Sequence, residues 1–268
     1  MTPHTGPLVD SHFHVYTRDM PLLGSAWHRP GHDATIEMCL ETLDAHGVVF
    51  GVISAASLYG TYNDYVRKAL KAHSRLRATA IIDTAWDIYQ LERMRDDGFV
   101  GLRLLWRPLA EIPDINSDAY RRLLRRCADL GWHIHLTDKP ERLDATVRAI
   151  EDAGVNVVLD HIGLIDTAQG VNDPAFRAIL AAIDRGRTWV KLSGGYRFTT
   201  QGLADSCAAA LVNAGGWDRL VWASDWPFAA FEEKVTYADT IADLSRWVPN
   251  PDMRHAVGAR TPLKLYFT

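Results

Sequence analysis

Val9-Asp10-Ser11-His12-Phe13-His14 closes the first apolar run of the chain. Side chains two apart on a strand share a face. His12 and His14 therefore project together, and two imidazoles on one side make half of a metal site. Taken alone, such a pair is as well explained by two hydrogen-bonded residues at a strand end. The later runs repeat the arrangement. Trp132-His133-Ile134-His135-Leu136 is a second His-x-His, Val157-Val158-Leu159-Asp160-His161 ends in Asp-His, and Val221-Trp222-Ala223-Ser224-Asp225 ends in Asp.

Eight apolar runs recur along the chain. They are Leu8–Val9, Val48–Ile53, Arg77–Ile82, Phe99–Leu105, Trp132–Leu136, Val155–Leu159, Thr188–Leu192 and Leu220–Ala223. Most are apolar on both faces, as parallel strands covered on both sides must be. The segments between them carry helical periodicity. Leu143, Val147 and Ile150 fall at i, i+4, i+7, with Gly154 as a stop. Asp138 with Glu141 predicts a capping box, Asp173-Pro174 opens the next helix, and Asp33 and Gly47 bracket an earlier one. Eight β–α alternations in 268 residues predict one (β/α)8 TIM barrel domain over 1–268. A doubly wound sheet fits less well, because no Gly-x-Gly-x-x-Gly follows the first strand. Residues 15–32 are too long for a simple turn and predict a loop over one barrel mouth.

Barrel closure brings the C-terminal ends of the strands to one mouth, where active sites form. His12, His14, His135, His161 and Asp225 then meet in one pocket. Arg103 at the end of the fourth strand, Arg107 just after it and Arg197 after the seventh would hold carboxylates, because guanidinium groups bind them bidentately. Tyr59 is a candidate hydrogen-bond donor or a packed aromatic. Lys191 would face the interior of the seventh strand, without an evident catalytic partner.

Composition narrows the function classes. Net charge is −4, and no basic field exists to attract nucleic acid. No apolar stretch is long enough to span a bilayer and no signal segment is evident, so a cytoplasmic protein is expected. Cys39, Cys127 and Cys207 lie far apart, which predicts small buried residues rather than disulfides or a thiolate metal site.

Six further blocks carry a family resemblance. They are Tyr59-Gly60-Thr61, Gly101-Leu102-Arg103, Gly131-Trp132-His133, Asp160-His161-Ile162-Gly163, Val190-Lys191-Leu192-Ser193-Gly194 and Ser224-Asp225-Trp226-Pro227. With His12-Phe13-His14 they resemble the lactonase branch of the amidohydrolase superfamily, over nearly the whole chain. That branch opens pyrone-dicarboxylate, sulfomuconolactone and sugar-acid lactones. The resemblance implies hydrolysis of a small anionic lactone by water that Asp225 activates, with His161 polarising the carbonyl. It implies one divalent cation, Zn2+, on His12, His14, His135 and Asp225, while a metal-free version in which Asp225 alone activates water stays open. Two departures stand out. Arg103 occupies the region where many relatives carry a bridging Lys or Glu, which argues against a binuclear centre. Gly163-Leu164 replaces the Gly-Arg of the pyrone lactonases, removing one anion-binding arginine. Decarboxylation of an unsaturated acid, lactone isomerisation and a non-catalytic binding barrel are the rival readings.

Overall fold

The computed structural model describes residues 7–268; the first six residues of the expected domain lie outside them. Eight parallel strands form one sheet in sequence order. They are β1 Leu8–Phe13, β2 Val48–Ile53, β3 Leu76–Ala80, β4 Phe99–Leu105, β5 His133–Thr137, β6 Asn156–Leu159, β7 Thr188–Leu192 and β8 Leu220–Trp222. Helices alternate with them outside, as the expected (β/α)8 barrel requires. β1 runs on beyond its predicted apolar pair, through the first imidazole to Phe13. His12 is thereby built on strand rather than loop.

The barrel is nearly closed, and side chains complete the seam between β8 and β1. The Asp10 carboxylate accepts from the backbone N–H of Ser224 at 2.9 Å, from the Tyr237 hydroxyl at 2.8 Å and from the N–H of His12 at 3.1 Å. Above it, Asp225 N donates to His12 O and His14 N to Trp226 O, both at 2.8 Å. These two bonds fix β1's histidines against the residue that follows β8. Burial raises the Asp10 carboxyl to about 6 despite its hydrogen bonds to Ser224, Tyr237 and His12.

Some local expectations shift by a residue or two. The helix Pro140–Asp152 is capped by Lys139, and no capping box forms at Asp138. The Asp138 carboxylate instead takes Lys139 N, Arg142 Nε and Thr146 Oγ1, tying the helix to the end of β5. Thr35, not Asp33, caps the helix Ile36–Ala45, whereas Asp173 caps the helix opened by Pro174 as expected. All three cysteines are buried and unpaired. Among the described residues no helix is long and apolar enough to cross a membrane.

The loop predicted over 15–32 does cover the mouth. Tyr16, Met20 and Ala34 pack with Leu58 and Tyr59 in a satellite core that pins the loop to the barrel rim. Leu23, Ala26 and Trp27 then form part of the cavity wall.

Candidate active site

A cavity of about 900 Å³ opens at the C-terminal ends of the strands. His14, His161, Asp225, Arg103, Arg107 and Arg197 line it. The backbone is left-handed at both chemistry-bearing corners, with φ +51° at His161 and +68° at Asp225. Non-glycine residues adopt this region at a cost that functional sites commonly carry. Here it turns both side chains inward after their strands end. Gly194 (φ +64°) serves the same corner. A Cβ there would lie 2.9 Å from His161 Nδ1, so only glycine leaves room for the imidazole.

Three donor atoms converge beside the cavity. His12 Nε2 and His14 Nε2 are 3.2 Å apart, and Asp225 Oδ1 is 3.6 Å from each. The His14 Nδ1–H donates to the Ser54 carbonyl at 2.8 Å, which leaves the lone pair of His14 on Nε2. Asp225 Oδ1 is buried without a hydrogen-bond partner. The other carboxylate oxygen, Oδ2, accepts from Arg197 Nε at 2.6 Å and from the Tyr196 hydroxyl at 2.8 Å. Burial would raise the Asp225 carboxyl, but Arg197 first, then His161, His14 and His12, outweigh it and hold it well below the usual carboxylate range. It is ionised at neutral pH.

A buried ionic hub lies beneath. Lys191, fully buried, donates to Asp160 Oδ1 at 2.9 Å and to His135 Nδ1 at 2.8 Å, and its Nζ lies 2.9 Å from His12 Nδ1. Arg103 donates to Asp160 Oδ2 at 3.0 Å and to the Ala55 carbonyl at 2.7 Å. Burial opposes ionisation of Asp160, yet Lys191, Arg103 and His12 together hold its carboxyl well below the ordinary value. Asp160 Oδ1 also lies 3.3 Å from His12 Nδ1. In the tautomer that donates this proton to Asp160, His12 presents its lone pair at Nε2, towards His14 and Asp225.

The match to the amidohydrolase family model extends over residues 9–268. The chain belongs to the amidohydrolase family. This amidohydrolase is similar to the 4-sulfomuconolactone hydrolase of Rhizobium radiobacter, 25% identical over 96% of the chain and 89% of that protein. Its fold matches a probable 2-pyrone-4,6-dicarboxylic acid hydrolase of Acinetobacter baumannii, solved with citric acid bound. The TM-score is 0.93 and the identity 26%, over 98% of this chain and all of that one. A second structure, a 2-pyrone-4,6-dicarboxylic acid hydrolase assigned in Pseudomonas putida, matches with a TM-score of 0.90 and 30% identity over 97% of both chains.

Within this amidohydrolase the residues singled out from the sequence separate into groups. His12, His14, His161 and Asp225 come together: His161 Nε2 lies 3.7 Å from Asp225 Oδ2, and the His12 and His161 rings are 4.8 Å apart. His135 does not join the ligand-bearing atoms of His12, His14 and Asp225. Its Nδ1 is engaged by Lys191, and its Nε2 is buried without a hydrogen-bond partner. Arg103 and Arg197 reach the cavity but already serve Asp160 and Asp225. Arg107 reaches it with a single long bond to the Asp138 carbonyl, 3.3 Å. Tyr59 is outside the lining; its ring packs 5.8 Å from that of Tyr16 in the satellite core. His133 donates to the carbonyl of Leu265 and serves the C-terminal helix.

Sequence reasoning set Lys191 in the barrel interior without a partner and gave no role to Asp160, Ser193 or Tyr196. A lysine flanked by valine and leucine on a parallel strand was a usable signal, because a charge there must find a buried partner. Tyr196 gave none: its role depends on where the turn after β7 folds relative to Asp225.

Proposed function

We propose that this amidohydrolase opens the ester ring of a small anionic lactone with water that Asp225 activates. One observation carries the reading: a buried, ionised carboxylate has one oxygen clamped by Arg197 and Tyr196 and the other free beside the cavity. The clamp fixes direction, so Oδ1 is the atom available to a water proton.

The residues divide the reaction among them. Asp225 Oδ1 takes a proton from water as the water oxygen bonds to the acyl carbon. The bond from that carbon to the ring oxygen then breaks, and Asp225 returns the proton to the ring oxygen. The product is a hydroxy acid, which ionises at neutral pH. Burial lowers His161 to about 4, more than the nearby Asp225 and Asp160 raise it, so its imidazole is neutral. In the tautomer in which Ser193 Oγ donates to His161 Nδ1 across 3.0 Å, the proton sits on Nε2, on the Asp225 side of the ring. This N–H is positioned to polarise the scissile carbonyl.

The donor set also fits one divalent cation. Three atoms separated by 3.2, 3.6 and 3.6 Å are equidistant from a point about 2 Å from each, matching zinc–nitrogen and zinc–oxygen bonds of about 2.0–2.2 Å. His12 and His14 through Nε2 and Asp225 through Oδ1 would hold the ion, the second lone pair of Oδ1 staying open to the water proton, and Zn2+ is the best match to two imidazoles and a carboxylate. Bound there, it would lower the pKa of the attacking water to about 7. Asp225, a weak base because its proton affinity is so depressed, gains most from this help. His135 is outside the proposed set. The second group of potential ligands, His12 Nδ1 with Asp160 and His161, already faces the Lys191 ammonium, which disfavours a second cation.

A pH-indicator screen over carboxylated lactones tests the activity. One proton should appear per ring opened, and the signal should vanish in Asp225→Asn. Carbon dioxide release with no ring opening would replace hydrolysis by decarboxylation. Metal analysis with chelation tests the ion: full activity in a metal-free preparation would remove it from the reading.

A further inference from the structure

The cavity is poor in spare positive charge. Three arginines line it, but two are committed. Arg103 is bound to Asp160 Oδ2 and the Ala55 carbonyl. Arg197 is bound to Asp225 Oδ2. Neither can turn to a substrate anion without abandoning a buried carboxylate, which would then lie unpaired in a low-dielectric setting. Arg107 differs. Among the described residues no carboxylate lies within ion-pair distance of it, and the one hydrogen bond of its side chain is the 3.3 Å contact to a backbone carbonyl. Burial pulls its guanidinium below the ordinary range, and the more distant carboxylates of Asp166, Glu141 and Asp138 offset this only in part.

The rest of the wall is mostly apolar, with Ser25, Ser57, Thr84 and Thr137 as neutral polar interruptions. Leu23 and Trp27 from the covering loop, Ile82 after β3, and Leu105, Trp106 and Leu109 around the end of β4 face the same space as Arg107. Trp27 and Leu109 are among the few large hydrophobic side chains of the described residues left exposed. An apolar wall of this extent at a cavity is a binding surface by default. A second substrate carboxylate would meet no second uncommitted cation among the lining residues and would lose hydration against a largely apolar wall.

Building on the lactone-hydrolase reading, we propose that the substrate is a monocarboxylated lactone carrying an apolar aryl or alkyl group, its one carboxylate on Arg107 and its apolar group against Trp27, Trp106 and Leu109. This places selectivity in one free cation and a hydrophobic wall, rather than in a cluster of arginines that reads two anionic groups.

Equilibrium binding tests the proposal independently of turnover. The probes are 4-phenylbutyrate, its amide, and the dicarboxylate adipate, titrated calorimetrically into the full-length protein. The expected order places 4-phenylbutyrate roughly tenfold or more ahead of both others, the worth of a charge-assisted bond plus a buried ring. Arg107→Met should narrow the acid-to-amide ratio by roughly tenfold, and Trp106→Ala should weaken both aryl probes together. Adipate binding as tightly as 4-phenylbutyrate, an unchanged acid-to-amide ratio in Arg107→Met, or no binding of either aryl probe at 10 mM or below (about 10,000-fold weaker than a micromolar ligand) overturns it. Proton release from a panel holding mono- and dicarboxylated lactones reports separately on hydrolysis. A blank there with the expected binding order sinks the hydrolase reading and leaves the specificity standing.

Discussion

Replacing Asp160 with Asn should destabilise the whole barrel, because one buried carboxylate neutralises two buried cations. Asp160 accepts from Lys191 at 2.9 Å through one oxygen and from Arg103 at 3.0 Å through the other, and neither Asp160 nor Lys191 is exposed. Removing one partner of a buried ionic cluster costs about 3–5 kcal/mol, because the remaining charges are left uncompensated. With an unfolding entropy of about 2.1 cal/mol/K per residue, each kcal/mol in a chain of 268 residues is worth about 2 °C. The expected fall in Tm is therefore roughly 5–10 °C. Scanning calorimetry on the wild type and Asp160→Asn measures it directly.

The pH dependence follows from the sign of the shift. The Asp160 carboxyl is held well below its ordinary value of 3.8. Folding thus favours its ionised form, and its stabilisation is present above the unfolded pKa and lost as the pH falls through the folded one. The Tm gap between the two proteins should stay constant from about pH 5 to 8. Adding Lys191→Met to Asp160→Asn removes one orphaned cation, so the double variant should recover part of the loss, with a coupling of about 1–3 kcal/mol. An Asp160→Asn protein melting within about 2 °C of the wild type, some 1 kcal/mol, would refute the claim that these three side chains form one electrostatic unit.

Asp225→Asn should lower turnover by roughly a thousandfold while the far-ultraviolet circular dichroism stays native, the scale expected on losing a positioned base. Gly194→Ala forces a Cβ to 2.9 Å from the His161 imidazole at a positive φ; it should cost about 1–3 kcal/mol by chemical denaturation and reduce kcat more than it raises KM. Tyr59→Phe should leave kcat/KM within about twofold of the wild type, the scatter of a surface-like change, since the ring packs on Tyr16 and not on the cavity. If a cation occupies His12, His14 and Asp225, chelator dialysis should lower Tm and zinc should restore it, by about 2.7 kcal/mol when free metal exceeds Kd a hundredfold.

The barrel was legible because its signals are local. Each strand announces itself as a short run apolar on both faces, and each helix by a 3.6-residue period, neither of which needs knowledge of distant segments. The meeting of His12, His14, His161 and Asp225 was also within reach, since barrel topology alone carries the ends of strands one, six and eight to one mouth. What the sequence left undecided was the company each side chain keeps. His135 has the same His-x-His spacing as His14, yet it lies apart from the cluster of His12, His14 and Asp225 and meets Lys191 in the barrel interior. Arg103, Arg107 and Arg197 are equivalent as letters, but only the packed structure commits two of them to buried carboxylates and leaves the third without a carboxylate within ion-pair distance among the described residues. Periodicity fixes which face a residue occupies, whereas pairing between buried charges depends on ångström-scale distances among strands far apart in the chain, which only the closed barrel sets.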